Sequence, residues 1–101
     1  MNGNINGVVE NYYKNEILES TGIIVDNLLE GKFYYFHKNG KPKSIINFEK
    51  NKPKNIEKCF DKKSNILYCG PFNNGNGEIY IYDENGNLIS KDHFKNGEFV
   101  N

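Results

Sequence analysis

The chain of 101 residues contains no arginine, alanine, glutamine or tryptophan. Without arginine there is no planar, bidentate clamp for phosphate or carboxylate, and cationic recognition falls to lysine point charges. Thirteen lysines balance thirteen acidic residues, so a nucleic-acid binder driven by overall charge is disfavoured. No apolar run reaches the roughly 18 residues that a membrane-spanning helix needs. Residues 1–4 have no positively charged start and no apolar stretch follows, so no signal peptide is read there. Helical periodicity is weak throughout, and short β-rich runs bounded by Asn and Gly dominate.

What the chain does have is Asn, Lys and Ile, 18, 13 and 11 of them, the imprint of an AT-rich coding sequence. It also has a period. One phrase opens at Gly7, Gly31, Asn55 and Gly77, in steps of 24, 24 and 22 residues. Five residues after each start stands an aromatic: Tyr12, Phe36, Phe60, Tyr82. Twelve residues beyond each of these stands a large apolar residue: Ile24, Phe48, Phe72, Phe94. A period of this length marks a modular array, each unit burying its apolar surface against its neighbours. The units run over residues 7–30, 31–54, 55–76 and 77–100. Residues 2–7 resemble residues 96–101, so the chain starts and stops at the same phase, as a slice of a longer array would.

Each unit reads as two strands. The first strands fall at Val8–Tyr13, Lys32–His37, Ile56–Phe60 and Glu78–Asp83. The second fall at Ile17–Val25, Pro42–Phe48, Ile66–Phe72 and Leu88–Phe94. Asn39-Gly40 and Asn85-Gly86 suit two-residue type I′ hairpins, whose central residues both need positive φ. Asn15-Glu16 suits one less well, and Lys63-Ser64 least, so the third turn is expected to be longer or looser. Further turns at Asn27-Leu28, Asn51-Lys52, Asn74-Gly75 and Asn96-Gly97 join the units. The two residues missing from the third unit are placed between Phe72 and Gly77, in such a turn, where deletions cost least. Pro42, Pro53 and Pro71 point to edges or bulges. The expected fold is all-β: a repetitive antiparallel β-hairpin meander of about eight strands, with the aromatic columns stacked from unit to unit.

The phrase Gly77-x4-Tyr82-x2-Asn85-Gly86, followed by Phe94-Lys95-Asn96-Gly97, resembles the MORN repeat. It is most similar to the bacterial variant with a Tyr-x-x-Asn-Gly turn. The second unit fits best, with Gly31, Tyr35, Phe36, Asn39, Gly40 and Lys41; the third departs most, at Asn55, Lys63 and Ser64. The resemblance implies a twisted array of hairpins that binds or scaffolds proteins and, in some members, phospholipid. Bacterial relatives of the variant are described as antitoxin- or immunity-like, others as parts of surface-associated proteins. It implies no catalytic residue.

Charge is uneven. Residues 1–30 carry −4, residues 38–63 carry +6 and residues 64–101 carry −3, with Lys32 closing the sum. The lysines read either as solvated guards of exposed edges or as a basic belt that meets an acidic partner or anionic headgroups. With a turn at Lys63-Ser64, Cys59 faces Tyr68 and Lys58 faces Cys69. The thiols then lie on opposite faces and stay free; a one-residue change in the loop would pair them. Neither His37 nor His93 has metal-ligand spacing to them. Asp83-Glu84-Asn85-Gly86-Asn87 looks like the start of a calcium loop, but Phe94 stands where the closing Glu belongs, and a hairpin turn explains it better. Adjacent aromatics on a strand point to opposite faces, so Tyr34-Tyr35-Phe36 makes both faces aromatic. Either one face is an open groove, or both are covered by curling or dimerisation.

These readings lead to a non-enzymatic protein–protein interaction module with no cofactor and no metal. Tyr13, Tyr34, Tyr35 and Tyr80 would dock a protein partner, and Lys41, Lys43, Lys50 and Lys52, with Lys38 and Lys54, would orient it. The partner would be a toxin or a scaffold client. The alternatives are a repeat segment of a surface or secreted adhesion protein and a peripheral binder of anionic lipid. A complete chain would be cytoplasmic, a fragment of a longer one surface-associated or secreted. Open sheet edges would allow oligomers.

Overall fold

The computed structural model describes residues 5–100; the readings placed on residues 1–4 and on Asn101 lie outside the described residues. Ten strands follow in chain order: β1 Gly7–Tyr12, β2 Leu18–Val25, β3 Leu28–Phe36, β4 Pro42–Glu49, β5 Lys52–Phe60, β6 Ile66–Leu67, β7 Phe72–Asn73, β8 Asn76–Tyr82, β9 Leu88–Lys95 and β10 Glu98–Val100. Strands β1 to β6 form one sheet in sequence order, and β7 to β10 form a second. All pairings are antiparallel. The molecule is an all-β hairpin meander, 46 × 34 × 19 Å. Its radius of gyration of 14.2 Å exceeds the roughly 12.7 Å of a compact chain of this length, as a thin array should.

The period-2 alternation of side chains sorts the residues into two faces. One cross-strand row runs Asn11, Ser20, Tyr35, Ser44, Cys59, Leu67, and the row one residue out of phase runs Glu10, Thr21, Tyr34, Ile45, Lys58. The first belongs to the packed face, where Ser20, Phe33, His37 and Cys59 are buried. The second belongs to the open face, where Tyr34 is 40% exposed. One face is thus covered and the other is not. Phe33, the most buried apolar residue, meets Phe48 edge-on at 5.5 Å and Tyr35 at 6.4 Å. In the second sheet Phe72, Phe94 and Phe99 stack edge-to-face at 5.5 and 5.8 Å, so part of the expected aromatic column is realised.

The turns differ from the sequence expectation. At each hairpin tip residue i donates its N–H to the carbonyl of i+4 and accepts from the N–H of i+3, with i being Tyr13, His37, Asp61 and Asp83. Of the central residues, only i+3 has positive φ: Glu16, Gly40, Ser64 and Gly86. This is the three-residue loop of a type I turn closed by a bulge, not a type I′ turn. The Lys63-Ser64 tip makes the same bonds as the others, at 3.0 Å each, and is neither longer nor looser. The type I′ turns are the links between units, where both central residues have positive φ: Asp26-Asn27, Lys50-Asn51, Asn74-Gly75 and Asn96-Gly97. The first two stand one residue earlier than expected.

Each link is tied to the one before it. The N–H groups of Asn27, Asn51, Gly75 and Gly97 donate to the carbonyls of Ile5, Leu29, Lys54 and Gly75 at 2.8–3.0 Å. The preceding N–H groups, of Asp26, Lys50, Asn74 and Asn96, donate to the side chains of Asn6, Glu30, Asn55 and Asn76 at 2.9–3.1 Å. Satisfying turn amides this way explains why Asn recurs at this phase.

The third unit holds the other corrections. The two missing residues are lost from β8, not from a turn. Strands β3 and β5 have nine residues and β8 has seven. Both β3 and β5 contain register shifts against their partners, one beside Pro53, whereas β7 and β8 pair without any. The residues lost are therefore those that bulge. The expected second strand at Ile66–Phe72 is split, and β10 follows the last link turn, which together make ten strands of eight. β6 pairs with β5, the chain bends at Gly70-Pro71, and β7 pairs with β8. Gly70 has φ +104 and a Cβ there would lie 2.5 Å from the Glu78 carbonyl oxygen, so the bend requires glycine. The hairpin is also one residue tighter than expected, with Cys59 opposite Leu67. Cys59 and Cys69 then share a face, and they form a disulfide with Cα atoms 5.6 Å apart. The expectation of free thiols is overturned.

Candidate interaction surface

Where the two sheets meet, the packed face opens into a half-open groove of about 280 Å³. One wall carries Tyr35 from β3, Lys43 and Ser44 from β4, and Cys59 from β5; the other carries Ile79, Tyr80 and Tyr82 from β8. The bend at Gly70-Pro71 sets the second wall against the first: the Cys69 carbonyl accepts the Tyr80 N–H at 2.8 Å, while the Cys69 sulfur is bonded to Cys59. The volume suits one or two side chains of a partner better than a cofactor.

Of the eight residues singled out in the sequence, three border this groove: Tyr35, Lys43 and Tyr80, the last with its ring on the face of β8 opposite to Ile79. Tyr35 is half-buried, and burial raises its phenol pKa. Tyr80 meets Tyr68 edge-on at 5.3 Å and has the Lys91 ammonium 4.9 Å from its ring centre, a cation–π geometry. The exposed Lys43 sits at the bulge that opens β4 and borders the groove.

The other five lie elsewhere. Tyr34 is on the open face. Tyr13 is half-buried and its hydroxyl donates to the Phe36 carbonyl at 2.6 Å; burial first, then Glu19 and Glu84, raise its pKa. Lys41 closes a hairpin tip, its carbonyl accepting the His37 N–H. Lys50 and Lys52 stand at the link edge, where Lys50 has φ 48 and Lys52 reaches Glu98 at 3.7 Å. Lys43 and Lys50 are separated by the length of β4, roughly 24 Å. The lysines of residues 38–63 therefore form two groups at opposite edges rather than one belt.

The tip edge has a structural ladder of its own that the sequence reading passed over. His37 is buried and its Nε2–H donates to the Phe60 carbonyl at 2.8 Å, one unit beyond the equivalent Tyr13 bond. Asn15 and Asn39 donate side-chain N–H groups to the carbonyls of Lys38 and Lys62 at 3.0 and 2.9 Å. The signal was present in the 24-residue spacing of Tyr13 and His37. The carboxylate of Asp83 accepts from the N–H groups of Asn85 and Asn87 and from the Asn87 side chain, so the turn reading of this segment accounts for its oxygens. Among the described residues no three His, Cys, Asp or Glu side chains are grouped to hold a metal, and no helix is long and apolar enough to cross a membrane.

No curated protein and no solved structure matches the chain. The family model of the MORN repeat variant matches residues 29–50 and 76–96. These segments are the β3–β4 and β8–β9 hairpins, the second and fourth units of the array. Two of the four hairpins are thus matched to the MORN repeat variant, whose family generally serves as a non-catalytic binding module.

Proposed function

We propose that the chain is a protein–protein interaction module without catalytic activity, and that the groove between its two sheets is where a partner docks. The observation that carries this reading is the half-open apolar groove where the two sheets meet, lined by Tyr35, Lys43 and Ile79 from three strands. Aromatic side chains with a cation at the rim suit an apolar partner residue flanked by a carboxylate. Within that class the leading reading is an antitoxin- or immunity-like protein that blocks a toxin by occupying it one-to-one. A second reading, a repeat segment of a surface or secreted scaffold, is favoured by the Cys59–Cys69 disulfide, because such bonds persist in oxidising compartments.

The test is partner capture from the source cells, with stoichiometry measured. Alongside it runs a variant carrying Tyr35→Ser, Tyr80→Ser and Lys43→Glu. A stoichiometric partner retained by the parent chain and lost by the variant supports docking in the groove. Equal capture by both overturns it. Alkylation of the chain in intact cells separates the two settings: blocked thiols mean a reducing cytoplasm, unreactive ones an oxidising compartment.

A further inference from the structure

Among the described residues, the strands at the two ends of the array leave complementary edges unpaired. Strand β10 pairs only with His93–Lys95 of β9, so among the described residues the outer edge of Leu88–Asp92 has no partner strand. At the other end, β1 pairs with β2 along one edge alone. Apolar side chains that interior units cover are bare at these ends. Val8 is 74% exposed, while Ile56, two units on at the same phase, is half-buried; Phe99 is 58% exposed, while Leu29 and Pro53 at its phase are half-buried.

We propose that this chain associates head to tail, β1 of one copy adding to the open edge of β9 in another. The phase fits. Link turns at Asp26-Asn27 and Asn96-Gly97 make Phe99 and Val100 the counterparts of Ile5 and Asn6. The strand that would follow Val100 begins at the phase of Gly7, where β1 begins. Phe99 and Val100 of the first copy stand where Ile5 and Asn6 of the second serve its own link turn, so those two residues are displaced on assembly. The Phe99 carbonyl then takes the Asn27 N–H that Ile5 accepts in the single chain.

The register follows from pairings inside the array. Ser20 pairs with Tyr35 and Thr21 with Tyr34; Ser44 pairs with Cys59 and Ile45 with Lys58. Carried forward by whole units, both templates place Ser90 opposite Asn11, and Lys91 opposite Glu10, of the incoming copy. Lys91 then lies between Tyr80 on its own sheet and a carboxylate on the added strand, an opposite-charge cross-strand pair. The contact is heterologous and leaves the same two edges free at the new ends, so it grows as a chain rather than closing as a dimer.

Sedimentation velocity over a wide concentration range tests this, with circular dichroism checking that each variant is folded. The expected result is a mass that rises progressively past the dimer. Glu10→Lys or Lys91→Glu alone weakens association by about fivefold, and the two swaps in one chain restore it. A chain that stays monomeric, a closed dimer, or swaps that neither weaken nor rescue would each overturn the proposal.

Discussion

The ring of Phe33 lies against the bare Cα of Gly22. A Cβ on Gly22 would fall inside the van der Waals envelope of three Phe33 ring atoms. Gly22 has no positive φ, so its role is space and not backbone freedom. Opposite it, β3 carries the two extra residues of the register shift between Thr21 and Ile23, which lets Phe33 fold over the glycine. Gly22→Ala should therefore lower stability by about 3 kcal/mol through overpacking. A urea midpoint measures this. Phe33→Leu in the Gly22→Ala background should cost much less than the two changes summed, because one contact is being counted twice.

Glu16 and Ser64 hold left-handed conformations, with φ 67 and 69, at tip positions that two other units give to glycine. An L side chain is strained there, so Ser64→Gly and Glu16→Gly should each raise stability by about 1 kcal/mol, after the entropy glycine gains in the unfolded chain. Lys63→Gly is the discriminating control. In a type I′ turn it would stabilise as well; in the turn observed, Lys63 lacks positive φ and the change should destabilise. Thermal unfolding of the three variants distinguishes the two geometries.

The tip turns show where the sequence was legible and where it was not. Period, strand content and hairpin order follow from the recurring aromatics and Asn-Gly pairs, because each unit meets only its neighbours. Turn type does not follow from Asn39-Gly40, since the same dipeptide fits the centre of a type I′ turn and the last two positions of a three-residue loop. Asp26-Asn27 and Lys50-Asn51, which do adopt the type I′ form, contain no glycine and carried the weaker local signal. Within the groove, Tyr35 was visible as an aromatic, but the wall that β8 sets opposite it was not. It depends on the bend at Gly70-Pro71 that carries the chain from one sheet to the other, and on a cysteine register shifted by one residue.

That bend is fixed by the disulfide, which closes a loop spanning a sequence separation of 10 between β5 and the crossover. Loop entropy assigns such a closure about 3 kcal/mol. Cys59→Ser with Cys69→Ser, or a reducing dithiol, should lower the unfolding free energy by that amount. It should also weaken any ligand of the groove, since Cys59 lines one wall and the Cys69 carbonyl holds Tyr80 on the other. An unfolding midpoint indifferent to the dithiol would show that the bond does not tie the two sheets together.

Asp61 links the tip ladder to pH. Its side chain is buried. The Asn65 side chain and N–H, the Lys63 N–H and the neighbouring His37 hold its carboxyl below the usual carboxylate range, against the opposing effect of burial. A carboxyl whose pKa is depressed by folding stabilises the fold above its unfolded value, near pH 4. That contribution is lost as pH falls through the folded value. Asp83, held down first by the Asn87 N–H and then by the Asn87 side chain, acts in the same direction. Melting temperature should therefore drop as pH is lowered through and below 4. Asp61→Asn should lower it at neutral pH, with the gap to the parent chain narrowing in acid. A gap that stays constant from neutral pH into acid would mean that the charge on Asp61 contributes nothing, and that its hydrogen bonds serve the turn equally well from a neutral amide.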